Sequence, residues 1–290
     1  MSHSSPPADR LGSGWMVISA ALFALMGAFA KAAGSRFGFS FNELVFWRML
    51  FGLFAIGLPE WWRGHAFRTP YLKSHLNRSI TGSVALLLSF YAITHLPLAT
   101  AVTLNYTSSL FLALLSFLLL KEEIVPMMLA ALLMGFGGII ILLQPSLGSG
   151  QQLAALIGLA SGLGAGWAYL QVRELSLLGE PSWRVVFYFC CVATAMSGAM
   201  ACIQGWHPPA PSALPYLLGL GLSGTLAQLA MTRAYQVGRK LTVASLSYLT
   251  VVFSTLLGIF WLGDGTSWHE IAGMLVIVGA GVLGSFAKGK

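Results

Sequence analysis

Apolar runs of about 20 residues, the length a helix needs to cross the hydrocarbon layer of a bilayer, recur along almost the whole chain. They lie near Leu11–Ala33, Ser40–Leu58, Ser79–His95, Ala99–Leu120, Val125–Gln144, Leu153–Val172, Ser182–Ile203, Ser212–Ala234, Thr242–Leu262 and His269–Ala287. A helix pairs its own backbone N–H and C=O groups, which lipid cannot do for it. The expected fold is therefore an all-α integral membrane protein with ten transmembrane helices. The breaks carry Pro, Gly or charge, as at Pro97, Lys121-Glu122-Glu123, Gly179-Glu180-Pro181 and Gly238-Arg239-Lys240, and none is long enough for a soluble domain. Only 9% of residues are charged, against roughly 25% in soluble domains, which excludes a water-soluble enzyme and a disordered scaffold. Cys190 and Cys191 adjoin within an apolar run and Cys202 stands alone, so no disulfide framework is implied.

The net charge of +7 reads as an orientation signal and not as a nucleic-acid footprint. With the N-terminus in the cytoplasm, cytoplasmic segments hold Arg10, Arg63, Arg68, Lys73, Arg78, Lys121, Arg173, Arg184, Arg233, Arg239, Lys240, Lys288 and Lys290, 13 of the 16 Lys and Arg residues. Lys31 and Arg36 fall on the other side, and Arg48 lies inside the second run. Both termini are expected in the cytoplasm. The expected partners are a small-molecule substrate and the lipid bilayer.

Shifting the chain along itself by 142 residues superposes its halves without a gap. Leu104-Asn105-Tyr106 falls on Leu246-Ser247-Tyr248, Phe111 on Phe253, Gly82 on Gly224, Lys31 on Arg173 and Glu122 on Asp264. The organisation expected is a cytoplasmic tail (1–10), a first five-helix repeat (11–144), a connecting loop (145–152), a second repeat (153–287) and a short tail (288–290). Five spans per half, an odd number, places the halves in opposite orientations, the inverted repeat of secondary transporters with a substrate path between the halves. A nonenzymatic scaffold or sensor leaves this symmetry unexplained. Arg10, an apolar run and Ala28-Phe29-Ala30 also have the form of a secretory signal; the first run is read as a retained span because it has a counterpart in the second half.

Several segments carry a family likeness: Gly166-Trp167-Ala168-Tyr169-Leu170-Gln171-Val172-Arg173-Glu174-Leu175, Leu98-Ala99-Thr100-Ala101, Leu119-Leu120-Lys121-Glu122-Glu123, and the Gly-rich fifth and tenth runs. Over nearly its whole length the chain resembles the drug/metabolite transporter superfamily, specifically its EamA-type exporters, and within them the YddG-type amino-acid exporters. The resemblance implies a basket of ten helices around a central cavity, in a bacterial inner membrane, exporting amino acids (aromatic ones included) or similar metabolites, or drugs. The first run departs from the family pattern, with Phe23-Ala24-Leu25-Met26 where many members carry a Trp-Gly-polar cluster.

Polar residues select which spans line a path. The fifth run has no polar side chain from Pro126 to Leu143 and the tenth is nearly as bare, so this pair is expected at the periphery. Gly135, Gly138, Gly279 and Gly281 are read there as close-packing positions. Asn105, Ser108, Ser109 and Ser116 share one face of the fourth span, matched by Ser247, Thr250 and Ser254 in the ninth; hydroxyls are common interhelical links, whereas an amide at membrane depth needs several partners. Tyr91, Tyr106, Trp167, Tyr169, Gln171, Gln228 and Tyr248 offer apolar faces with single polar groups, suited either to amphipathic solutes or to packing and the interfacial belt. The candidate substrate-binding set is Tyr91, Asn105, Tyr106, Ser108, Trp167, Tyr169, Gln171, Gln228, Ser247 and Tyr248. Arg48, about 12 Å inside its helix, is read either as the partner of a substrate carboxylate or as structural, paired with Glu43 or with backbone carbonyls. Glu122, Glu123 and Asp264 are read as caps of following helices. No histidine lies deep in a span and there is no metal-ligand or phosphate-loop motif, so no cofactor and no enzymatic activity are expected. With no deep carboxylate for a proton relay, facilitated or exchange transport along a largely uncharged path is expected over obligatory proton coupling.

Overall fold

The computed structural model describes residues 14–120, 126–142, 151–237, 246–265 and 267–286. Glu122 and Glu123, both tails, most of the 145–152 connection and the side chains of Ser109 and Ser116 lie outside the described residues. All regular structure among the described residues is helical. The helices are α1 (Trp15–Phe37), α2 (Phe41–Trp62), α3 (Leu72–His95), α4 (Leu98–Tyr106), α5 (Ser108–Leu120), α6 (Pro126–Leu142), α7 (Gln152–Leu177), α8 (Ser182–Gln204), α9 (Leu214–Val237), α10 (Leu249–Leu257) and α11 (Trp268–Phe286). Six of the described segments are long and apolar enough to cross a membrane: those of α1, α2, α3, α7 and α8, and Pro211–Met231. Leu249–Leu262 and Ile271–Ala280 are shorter apolar helices.

Local chemistry sets the ends. α1 stops at Gly38, whose φ of 73° satisfies a left-handed C-cap. α2 starts with a capping box: the Glu43 N–H donates to Ser40 Oγ (3.3 Å) and the Ser40 N–H donates to Glu43 Oε2 (2.8 Å). The Leu98 N–H at the start of α4 donates to Asp264 Oδ2 at 2.8 Å. Asp264 thus caps a helix of the other repeat and not the helix that follows it in sequence.

Three elements differ from the runs read in the sequence. α3 starts at Leu72, about two turns before Ser79, because residues 72–78 are mostly polar yet helical, and two of them, His75 and Arg78, are buried. The fourth run is interrupted at Thr107, where the Thr107 N–H (3.3 Å) and Oγ1 (2.6 Å) both donate to the Leu104 carbonyl three residues back, a local tightening that ends α4. The ninth is interrupted at Tyr248, the repeat counterpart of Tyr106, with the Val251 N–H donating to the Tyr248 carbonyl at 3.0 Å. Both repeats therefore break their fourth helix within one residue of the same place.

The packing carries the repeat as well. α1 lies on α9 as α7 lies on α3; α2 lies on α9 as α8 lies on α3; and the counterparts α2 and α8, and α6 and α11, pack on each other. In the α6–α11 contact a Cβ added at Gly138 would come within 2.9 Å of Ile277, so close approach depends on the missing side chain. On α9, Leu214, Leu218, Leu222, Leu226 and Leu229 form an exposed stripe while Leu217, Leu220, Ala227, Ala230 and Ala234 are buried, as expected of a helix with one face to lipid and one to protein.

Candidate functional site

α1, α2, α3, α7, α8, α9 and the broken fourth helices enclose a central cavity of about 170 Å³. The face of α3 that lines it runs through Arg78, Gly82, Ala85, Ser89 and Ile93, positions spaced by three or four residues as a helical face requires. Arg48 enters from α2, Phe23, Met26 and Gly27 from α1, Tyr169 from α7, Phe189 from α8 and Gln228 from α9. Of the residues singled out in the sequence, Arg48, Asn105, Tyr106, Ser108, Tyr169, Gln228 and Thr250 are brought together here.

These side chains are held by neighbours from both repeats. The Asn105 amide donates to Ser161 Oγ (3.1 Å), which donates to the Gly158 carbonyl (2.6 Å). The Tyr106 hydroxyl lies 2.8 Å from Thr250 Oγ1, and its ring is 6.2 Å from that of Tyr248, so the two helix breaks meet at the cavity. Tyr169 is hydrogen-bonded to Ser108.

The remaining candidates stand outside the lining. Trp167, on the opposite side of α7 from Tyr169, shares its helix face with the exposed Leu156 and Leu163 and is not part of the cavity lining. Tyr91 packs edge-on against Phe41 and stacks on His95 at 4.0 Å. Gln171, Ser247 and Tyr248 are buried, and the Gln171 amide has no hydrogen-bond partner at either end.

Two charge assignments are corrected. Arg48 is not paired with Glu43. The Glu43 carboxylate is occupied by the Ser40 cap and by His207, whose N–H donates to Oε1 at 2.6 Å and whose Nδ1 lies 3.1 Å from Oε2. The Arg48 guanidinium lies instead over the Phe90 ring, 5.7 Å from its centroid. Arg78, counted above among loop charges, lies within α3 with its guanidinium 4.2 Å from the Phe189 centroid. The central path is not uncharged: two arginines line it, and among the described residues no carboxylate does. The signal for Arg78 was present as the small-residue face Gly82, Ala85, Ser89 extended backward by one turn.

The two ends of the molecule differ. At the end holding the α1–α2 turn, Lys31 Nζ donates to Asp264 Oδ1 (2.6 Å) and to the Leu96 carbonyl (2.9 Å). Arg36 Nη1 donates to the Tyr216 hydroxyl (2.6 Å) and the Asn42 amide to Gln204 (2.8 Å). At the other end a vestibule of about 770 Å³ lies between the ends of α2, α8 and α9. Gln228 lines the central cavity, this vestibule and a small cleft between them.

A helical membrane protein with a cavity of aromatic and polar walls between two repeats belongs to the class of multi-pass transporters. The chain belongs to the EamA-like transporter family, whose model matches it twice, over residues 10–144 and 152–286. It is a transporter of the drug/metabolite superfamily and not an enzyme. It is 30% identical over 284 residues to the pseudopaline exporter CntI of Pseudomonas aeruginosa, covering 97% of this chain and 99% of that one. It is 26% identical to a riboflavin transporter of Rhizobium johnstonii, covering 95% and 91% of the two chains, and 22% identical to an S-adenosylmethionine uptake transporter of Rickettsia prowazekii, covering 92% and 89%. A solved crystal structure at 22% identity superposes with a TM-score of 0.66 over 94% of this chain and 96% of that one, a likeness of fold.

Proposed function

We propose that the protein exports amino acids, aromatic ones included, or similar small metabolites by alternating access between two inverted five-helix repeats, ten membrane-crossing helices in all. It does so from a bacterial inner membrane with both termini in the cytoplasm. The observation that carries this reading is the cavity itself: Asn105, Tyr106, Tyr169 and Gln228 place neutral hydrogen-bonding groups beside Phe23, Phe90 and Phe189, and Arg48 supplies paired donors for a carboxylate. The vestibule is lined by Glu60, Arg63, Glu180 and Arg233, at the end the Lys/Arg distribution assigns to the cytoplasm, so solute enters from inside. A relative named for riboflavin supports a second reading, export of a larger heterocyclic metabolite or drug, for which the aromatic walls are equally suited.

Purified protein in liposomes, assayed for flux of a panel of amino acids and of riboflavin, tests these readings. Tyr106→Ala, Tyr169→Ala and Gln228→Ala are each expected to lower flux or change its selectivity; unchanged flux in all three, with normal folding, sinks the assignment of the cavity. No carboxylate lines the central cavity among the described residues, so flux is expected to persist without an imposed pH gradient. Stalling at saturating substrate rejects facilitated or exchange transport.

A further inference from the structure

We infer that the cavity takes a solute with two carboxylates, an amino-dicarboxylate or a dicarboxylate on a small apolar body, in preference to a neutral zwitterion. The inference rests on the transport reading above and narrows its substrate class. Arg48 and Arg78 are 7% and 9% exposed and both line the cavity. Arg48 Nη1 and Arg78 Nε and Nη1 have no hydrogen-bond partner. Each guanidinium rests on an aromatic face, Phe90 for Arg48 and Phe189 for Arg78, a contact that attracts the cation but leaves its in-plane N–H donors free. They share that space with Tyr169 and Phe189.

Among the described residues no carboxylate lines the cavity to answer these charges. Glu43 is bound by Ser40 and His207, Glu60 by Arg63 and His65, Glu180 by Thr69, His75 and Arg184, and Asp264 by Lys31 and Leu98. Buried charges without counter-charges are unfavourable, and the penalty is relieved by whatever brings the opposite charge. A zwitterionic amino acid brings one carboxylate, but also an ammonium for which the lining offers no carboxylate and which the second arginine repels. Two carboxylates satisfy both arginines, each with the paired geometry that guanidinium favours.

The backbone makes room for both. A Cβ at Gly82 would stand 2.5 Å from Arg78 Nη1, and one at Gly224, its repeat counterpart, 2.9 Å from Arg48 Nε. Equivalent glycines in the two halves thus each accommodate one arginine. A cavity of about 170 Å³ suits a compact diacid. An inside-negative membrane potential favours outward movement of such an anion, so export of this cargo has a driving force without a proton relay.

The test is equilibrium binding to the purified full-length protein of two matched pairs, glutamate against glutamine and benzene-1,3-dicarboxylate against 3-carbamoylbenzoate. Each diacid is expected to bind at least ten-fold more tightly than its monoamide, and Arg48→Gln and Arg78→Gln are each expected to abolish that preference. Arg48→Lys and Arg78→Lys keep the charge while losing the paired donors; at least a three-fold fall in preference is expected in them, and they carry the test if the glutamine variants do not fold. Equal affinity within both pairs, no binding of either diacid, or a preference that survives the variants overturns the inference. Liposome flux separates it from the broader reading. Neutral amino acids moving with no preference for diacids overturn this inference alone, whereas diacid binding without any amino-acid flux overturns the transport reading alone.

Discussion

At the scale of single residues, the two cavity arginines are held against the grain of stability. A guanidinium in a low-dielectric interior without a counter-charge is destabilising, and apolar replacements of similar volume are often neutral or stabilising. Arg48→Met and Arg78→Met are therefore expected to raise the ligand-free melting temperature in detergent, by the equivalent of about 1 kcal/mol each once the lost ring contacts are allowed for. A fall in melting temperature in both variants shows that the arginines serve the fold. Arg48 was legible in the sequence because a charge in the middle of an apolar run announces itself. Arg78 was not, because hydropathy ends the run at Ser79 and hands the residue to a loop, although the helix continues through it to Leu72. Trp167 and Tyr169 show the complementary difficulty: two residues apart, they point to opposite sides of α7, and only the neighbouring helices decide which side is lipid.

At the scale of elements, length made most helices readable and local hydrogen bonding hid the breaks. Nothing in Leu104-Asn105-Tyr106-Thr107 forbids a helix. The interruption comes from Thr107 bonding back to Leu104 and from Tyr106 reaching Thr250 in the other repeat, a partner 144 positions away. That bond is expected to couple the two breaks: Tyr106→Phe and Thr250→Val should each destabilise by about 0.5–1.5 kcal/mol, and the double variant by less than their sum. Additivity in a denaturation cycle places the two residues in separate roles. A second link ties the loops at the vestibule end. Thr69 Oγ1 donates to Glu180 Oε1 at 2.7 Å, Arg184 Nη1 donates to Oε2 at 3.0 Å, and His75 Nε2 lies 3.0 Å from Oε2. Burial acts to raise the Glu180 carboxyl pKa, but hydrogen bonds from Thr69, Arg184 and His75 and the charge of Arg184 outweigh it, leaving the group below its ordinary value. A lowered folded value stabilises the protein above the unfolded pKa of about 4.3, and that contribution disappears as pH falls through the folded value. The melting-temperature advantage of the parent over Glu180→Gln is expected to be full at pH 7 and to shrink progressively below about pH 4. A difference that does not change with pH removes the ionised carboxylate from the account.

At the scale of the whole molecule, the 142-residue offset read from the sequence reappears as an exchange of partners, with α1 on α9 answered by α7 on α3. Symmetric halves nevertheless leave the two ends unlike. At one end Lys31 reaches Asp264, residues whose repeat counterparts in the sequence are Arg173 and Glu122. One carboxylate, Asp264, joins α1, the start of α4 and the turn before α11. Its ion pair with Lys31 is largely shielded from solvent, where charge-assisted hydrogen bonds are worth about 1.5–3 kcal/mol. Removing that much from one end of a two-state equilibrium shifts it by a factor of about 10 to 100. Asp264→Asn keeps an oxygen for the Leu98 N–H while discharging the bond to Lys31, so α4 stays capped and only the cross-link weakens. A cysteine placed at Ser89, on the cavity wall, reports the result. In a background in which Cys190, Cys191 and Cys202 are replaced by serine, a membrane-impermeant maleimide is expected to label Ser89→Cys chiefly from the vestibule side. Adding Asp264→Asn is expected to raise labelling from the Lys31 side at least several-fold, and Lys31→Met to act in the same direction. Labelling from the vestibule side alone in all three backgrounds shows that the Lys31–Asp264 cross-link does not hold that end closed.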